Sequence, residues 1–261
     1  MADTTAADFT AAPPEDEERE LTKMSFLEHL EELRKRLIVS IVAVGVAFLL
    51  CWNFADRIFG WLQIPLTKYL PRGERLVYTR LTEPFMLYMK VAAFAGIFVA
   101  SPIILWQLWL FISPGLYKRE RRYAAPFIII ASLFFILGGY FGYRVILPGA
   151  CAFFIETGRQ FTQMIKADEF FSFASTMILA SGLVFETPIL IFFLSRLGIV
   201  TPAFLMRGWK VAVVGAFVIA AIVTPSPDMI NQTALALPMI GLYFLGVAIS
   251  YIFGKKTAPS A

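Results

Sequence analysis

Apolar residues run along this chain in long blocks separated by short polar links. About 20 apolar residues in a helix cross a hydrocarbon core of about 30 Å. Six blocks approach that length: 37–54, 85–111, 124–147, 170–197, 211–224 and 233–253. Each predicts a membrane-spanning helix, so the expected fold class is all-α, a polytopic membrane protein of six helices. The fifth block is short, and its roughly 14 residues rise only about 21 Å. A thinned bilayer or snorkelling polar ends must accommodate it.

Before the first block the pattern changes. Phe26, Leu30, Leu33 and Leu37 recur at helical spacing, with Glu28, Glu31, Glu32, Arg34, Lys35 and Arg36 on the opposite face. Ser25 and Glu28 have the spacing of a capping box. Glu31–Lys35 and Glu32–Arg36 are i, i+4 pairs, each adding about 0.2–0.5 kcal/mol to a helix. The pattern predicts an amphipathic surface helix over 23–36 that runs into a transmembrane bundle over 37–254. Residues 1–22 are Ala, Thr, Pro and acids that cannot bury a core, and they read as a disordered tail. Residues 255–261 form a second, short tail.

The links differ in length. The 55–84 link holds Pro65, Pro71, Gly73 and Pro84 and is too long for a tight turn. It predicts a folded cap with a short helix near 56–63, and the 148–170 link reads similarly. The link 112–123 carries Lys118, Arg119, Arg121 and Arg122 around one acid, Glu120. Ser101-Pro102-Ile103 and Thr187-Pro188-Ile189 echo one another, too weakly to indicate a duplicated transporter fold.

Composition agrees with the pattern. The chain is 58% hydrophobic and 16% charged, with mean hydropathy +0.70, which places it among integral membrane proteins. The net charge of +4 comes from basic residues near span ends. That fits orientation in a lipid bilayer rather than nucleic-acid binding. An even number of spans puts both termini on one side. The bias of Lys and Arg, with Lys255 and Lys256 among them, favours the cytoplasm. The one His and two Cys, Cys51 and Cys151, supply neither a disulfide framework nor a metal-ligand spacing. No phosphate-cradling loop and no H-E-x-x-H occur, so no nucleotide, metal, cofactor or catalytic group is expected. The acidic N-terminus lacks the basic and apolar regions of a cleavable signal peptide.

A few polar residues remain as candidate chemistry. Glu186 lies mid-span just before Thr187-Pro188, where a charge costs about 2.5–3.5 kcal/mol on insertion scales. Pro188 also leaves a carbonyl one turn earlier without its usual partner. Glu186 reads either as a polar or proton-labile group facing a cavity, or as a protonated acid hydrogen-bonded inside the bundle. A proton-coupled small-solute transporter built on Glu186 is the rival function; such a site needs several converging polar groups, and Glu186 is alone. Glu32 and Glu120 read, on spacing, as solvated faces balanced by nearby arginines. The alternative is that together they grip two guanidinium groups as planar forks. Trp106, Trp109, Phe111 and Tyr117 beside them read as an aromatic belt. Asp228, in Thr224-Pro225-Ser226-Pro227-Asp228, suits a cap for the sixth span, and Thr224 and Gln232 suit a polar contact with a partner span. Lys90 reads as snorkelling and His29 as solvated.

Several of these motifs, in this order, resemble the TatC family, the multi-spanning subunit of the twin-arginine protein translocase. The residues are Ser25-Phe26-Leu27-Glu28-His29-Leu30-Glu31-Glu32-Leu33-Arg34-Lys35-Arg36-Leu37; Ser101-Pro102 through Trp106-Gln107-Leu108-Trp109 and Phe111 to Pro114-Gly115-Leu116-Tyr117-Lys118-Arg119-Glu120-Arg121-Arg122; Phe185-Glu186-Thr187-Pro188; and Gly215-Ala216-Phe217, Thr224-Pro225, Asp228, Gln232 and Leu237-Pro238-Met239. The resemblance spans about 24–254. It implies six spans in a concave bundle in the inner membrane, and no enzymatic chemistry. It also implies recognition of paired-arginine signal peptides, with energy from the proton gradient. Glu32 and Glu120 would receive the arginines, supported by Arg34 and Phe111. Pro65 would belong to the cap, Pro102 to the second span and Glu186 to the concave face. Asp228 would be the hairpin acid, and Thr224 and Gln232 would mark where single-span TatA- and TatB-type subunits dock. The complex would hold several copies of the chain.

Overall fold

The computed structural model describes residues 26–70, 75–112, 124–224 and 229–253, with backbone alone at 26, 27, 112, 124–127 and 253. Eleven α-helices account for most of these residues: α1 Phe26–Trp52, α2 Ala55–Leu62, α3 Ile64–Thr67, α4 Glu83–Ile112, α5 Ala124–Phe141, α6 Leu147–Thr157, α7 Ala167–Phe185, α8 Thr187–Arg196, α9 Pro202–Arg207, α10 Trp209–Val223 and α11 Met229–Phe253. Five described stretches are long and apolar enough to cross a membrane, and α10 is a shorter apolar helix. The surface helix and the first span form one uninterrupted helix, α1. Its apolar outer face, with Ile41 61% and Leu49 66% exposed, faces what would be lipid.

The third span extends further than its hydropathy suggests. The apolar block ends at 147, yet helix continues through Pro148 to Thr157. Residues Gly142–Ile146 form a π-turn, in which the Leu147 N–H reaches the Gly142 carbonyl five residues back. That shift of the hydrogen-bond ladder, just ahead of the ring, accommodates the missing N–H of Pro148. The first ten residues of the expected 148–170 loop are therefore helix.

The cap on the side away from the start of α1 has the predicted short helix, α2, followed by α3, with Pro65 buried in the first turn of α3. A single parallel bridge joins the two long links there: the Val77 N–H donates to the Ile165 carbonyl and the Ala167 N–H to the Val77 carbonyl, both at 2.9 Å. Tyr143 of the π-turn donates to the Trp61 carbonyl at 2.7 Å and ties cap to bundle. Lys90 does not snorkel. Its ammonium sits 2.7 Å from Asp168, 78 residues on, a pairing that only the fold creates.

The main core fills the cap half of the bundle. Val91, Ile146, Leu147, Met177 and Leu235 are its fully buried centre, and Cys51 and Cys151 lie in the same cluster as free thiols. The opposite half is thinner, with a small cluster of Trp109, Ile128, Ala131, Ile189 and Phe193. Without a hydrophobic drive between helices in lipid, close packing holds them, and glycine permits it. A Cβ on Gly96 would come 3.0 Å from the Phe48 backbone nitrogen, where α1 and α4 cross. A Cβ on Gly138 would come 2.6 Å from the Ser181 carbonyl and 2.7 Å from the Phe185 Cβ, where α5 meets α7. On the other side of the bundle the Ser195 and Ser250 hydroxyls share a buried 2.6 Å hydrogen bond between α8 and α11.

Gly138→Ala is expected to destabilise the purified protein by about 1–3 kcal/mol, the cost of overpacking against backbone, read as a lower midpoint of thermal unfolding in detergent. Gly45→Ala, where a Cβ meets nothing within 4 Å, is the control. Equal midpoints for the two variants would contradict the packing described.

Candidate functional site

Three places gather the candidate residues: the rim where α1 begins and α4 ends, a cavity running from that rim toward mid-bundle, and the α10–α11 turn.

At the rim, α1 and α4 run antiparallel, and two contacts hold them. His29 stacks on Phe111, with ring centroids 4.4 Å apart and planes 24° apart. Two turns further along α1 and one turn back along α4, Arg36 Nη1 donates to Gln107 Oε1 at 3.4 Å. Positions 29, 32 and 36 share one helix face, so Glu32 lies between the two contacts. Both expected ion pairs are present: Lys35–Glu31 at 2.8 Å and Arg36–Glu32 at 3.1 Å. They are not equivalent. The first is mostly solvated, with side chains 71% and 64% exposed, whereas those of Arg36 and Glu32 are 32% and 15% exposed. Glu32 is thus no solvated bystander. It is a half-buried carboxylate held against α4. Arg34 points to solvent on the other side of the helix. Glu120 lies outside the described residues, on the link that leaves α4 just after Phe111.

The cavity has a volume of about 400 Å³ and lies among α4, α5, α7 and α8. Its wall is apolar apart from Ser101, Glu186 and the indole of Trp109. Two proline breaks shape it. Pro102 interrupts the ladder inside α4, and the carbonyl it orphans, that of Phe98, accepts the Ser101 hydroxyl at 2.8 Å. Pro188 does the same between α7 and α8, and the Val184 carbonyl accepts the Thr187 hydroxyl at 2.6 Å. The carbonyl expected to lack a partner is therefore satisfied, and the echo between Ser101-Pro102 and Thr187-Pro188 is one local device used twice. Glu186 sits at the break between α7 and α8 and lines the cavity. Its Oε1 is buried with no hydrogen-bond partner among the described residues. That geometry agrees with a polar group facing a cavity rather than with an acid bonded into the bundle.

The third group of candidates lies at the α10–α11 turn. Thr224 is 2% exposed, and its hydroxyl donates to the Ala220 carbonyl at 2.6 Å. Half-buried Gln232 donates to the Phe217 carbonyl at 3.1 Å, tying α11 to α10. Both side chains thus bond to carbonyls of α10, and the one from Gln232 holds the start of α11 against it. Asp228 lies outside the described residues. Pro102 is exposed on α4, and Pro65 stays in the cap, away from the rim.

Sequence reasoning missed His29, Gln107 and the role of Arg36. Each depends on the register between two antiparallel helices. The signal available was Gln107 itself, a neutral polar residue in an otherwise aromatic and aliphatic stretch.

A bundle of apolar helices with a charged rim and one carboxylate in an apolar cavity defines a multi-pass membrane protein without the converging polar groups of a solute carrier. Comparison with known proteins makes the class specific. The family profile of Sec-independent protein translocase protein (TatC) matches residues 28–238. The TatC protein of Koribacter versatilis is 46% identical over 239 residues, covering 90% of this chain and 88% of that one. That of Deinococcus radiodurans is 39% identical over 252 residues, covering 95% and 91%. Among solved structures, the crystal structure of a twin-arginine translocase receptor, TatC, is 36% identical, covers 86% of this chain and 99% of that one, and superposes with a TM-score of 0.72. The chain belongs to the TatC family. It is a subunit of the twin-arginine protein translocase, a six-span bundle that works with other Tat subunits, and not a small-solute transporter.

The His29–Phe111 stack predicts coupling between α1 and α4. In a double-mutant cycle of His29→Ala and Phe111→Ala, thermal unfolding is expected to report a coupling of about 0.5–1.5 kcal/mol. Strict additivity would show that the rim contact is not formed.

Proposed function

We propose that this chain is the receptor of the translocase, recognising paired-arginine signal peptides at the α1–α4 rim and nucleating the complex that moves folded proteins across the cytoplasmic membrane. The observation that carries this reading is the half-buried Glu32 carboxylate at the α1–α4 rim, against the helix, α4, whose other residues line the apolar cavity. Glu120, on the adjoining link, supplies the second carboxylate, so that two guanidinium groups meet two acids. Arg34 on the open face of α1 and Phe111 in its stack with His29 support the site.

Magnitudes indicate how the work divides. Exposed ion pairs contribute about 0.2–1 kcal/mol each. A single Leu leaving water contributes about 1.5–3 kcal/mol. The apolar part of a signal peptide, lying along the cavity wall, therefore supplies most of the affinity. The two glutamates supply the choice of arginine, because lysine has no planar fork.

The same reading sets both termini in the cytoplasm, with 1–22 and 255–261 as tails and 23–36 as the surface portion of α1. It makes the proton gradient the source of energy. Single-span TatA- and TatB-type subunits are the partners, and several copies of the chain share one complex. Glu186 gives those partners one polar contact within the membrane, where such bonds contribute about 0.6 kcal/mol on average. The α10–α11 turn, with Asp228, Thr224 and Gln232, gives them a second docking place.

The test is photocrosslinking of a twin-arginine signal peptide to the full complex in membrane vesicles. Glu32→Ala and Glu120→Ala are each expected to lower the yield severalfold while the complex stays intact on native gels. Crosslinking of both variants at the native rate would rule out the assignment of these two acids.

A further inference from the structure

The Glu32 carboxylate is already occupied by an arginine of its own helix. Arg36 Nη2 lies 3.1 Å from Glu32 Oε1, and Arg36 Nη1 lies 3.4 Å from Gln107 Oε1 on α4. The contact with Glu32 is single. Among the described residues, Glu32 Oε2 and Arg36 Nε are both buried and have no hydrogen-bond partner. A guanidinium and a carboxylate in the paired fork would use two nitrogens and both oxygens. Here each group is half satisfied. The neighbouring Lys35–Glu31 pair has the same spacing and faces solvent, with no α4 residue recorded against it. Sequence spacing alone therefore does not produce this arrangement; the position against α4 does.

We propose that Arg36 is a built-in occupant of the cargo site, an internal competitor that any incoming cation must displace, so that it raises the Kd of arginine and lysine peptides alike. This rests on the receptor reading above. A cargo guanidinium can take both Glu32 oxygens, including the orphaned Oε2, and so outcompetes Arg36. A cargo ammonium is a point charge offering one contact, the same as the one it must displace, and gains nothing. The exchange is neutral, since one cation leaves the carboxylate as another arrives, so no unpaired charge is buried at any stage. Arg36 also has a place to go: Gln107 Oε1 already accepts from its other terminal nitrogen. Gln107 is thus the resting partner of the displaced side chain. Arg36 acts through Glu32, tuning how tightly the site holds any cation, and makes no contact with cargo itself.

The experiment measures binding of two fluorescent synthetic signal peptides, one with Arg-Arg and one with Lys-Lys, to the full-length chain in lipid nanodiscs. Wild type prefers Arg-Arg. Arg36→Gln is expected to lower both Kd values by about two- to fivefold, the range of one ion pair at a partly solvated site, with their ratio unchanged because both peptides displace the same side chain. Arg36→Lys, which keeps the charge but weakens the hold on Gln107, is expected to lower both by less. If Arg36→Gln weakens both peptides, Arg36 merely props Glu32 and the proposal is overturned. Unchanged Kd values in Arg36→Gln, or in Arg36→Lys should the first variant not fold, overturn it as well, while the receptor reading stands. A wild type that binds Arg-Arg and Lys-Lys alike removes the receptor reading and this proposal together.

Discussion

In a hydrocarbon layer a backbone carbonyl has no water to turn to, and every break in a helix must find its replacement partner inside the protein. Of the spans that carry a proline, two meet the requirement with the hydroxyl one residue earlier, Ser101 for Phe98 and Thr187 for Val184. Much else follows from those two repairs. The breaks part α4 from α8 and leave an apolar cavity between them, with Glu186 at its edge. The same half of the bundle has only a small core around Trp109 and Phe193, while the cap half is densely packed. The described residues are thus densely packed at the cap and open toward the rim, a polarity that suits the proposed receptor for an extended apolar segment.

The rim repeats the principle with charge. Glu32 is taken partly out of water but not fully paired, between a ring stack at His29 and a hydrogen bond at Gln107. A carboxylate paired through one oxygen is stable enough to persist and incomplete enough to accept a better partner. Specificity for guanidinium then comes from geometry rather than from the strength of any one ion pair, consistent with the small contribution of surface pairs. On the receptor reading proposed above, affinity and selectivity fall to different parts of the same peptide, the apolar half to the cavity and the arginines to the rim.

The spans were legible because long apolar blocks have one outcome in lipid, and the i, i+4 pairs were legible because helix geometry alone determines them. The break at Glu186 was legible from Pro188. The run of helix past Pro148 was not, since a π-turn moves the ladder by one residue and only the three-dimensional chain shows it. Lys90 with Asp168, His29 with Phe111 and Arg36 with Gln107 all join residues 71 to 82 positions apart in sequence, and nothing local encodes such register. Glu32 is the instructive case. Spacing made it one more solvated acid, family resemblance made it a ligand, and its burial against α4 is the physical difference between the two. The hydrogen bonds of Thr224 and Gln232 to carbonyls of α10 were likewise not legible, the second because it joins two helices across a turn.

The central claim is that Glu32 meets an arginine of the signal peptide directly. A double-mutant cycle on peptide binding, combining Glu32→Gln in the full-length chain with Arg-to-Gln at each position of the peptide pair, tests it most directly. The account predicts that one of the two arginines shows a coupling with Glu32 well above the scatter of the measurement, and that the other is additive with Glu32 and coupled instead to Glu120. Additivity of Glu32→Gln with both arginines would contradict the account.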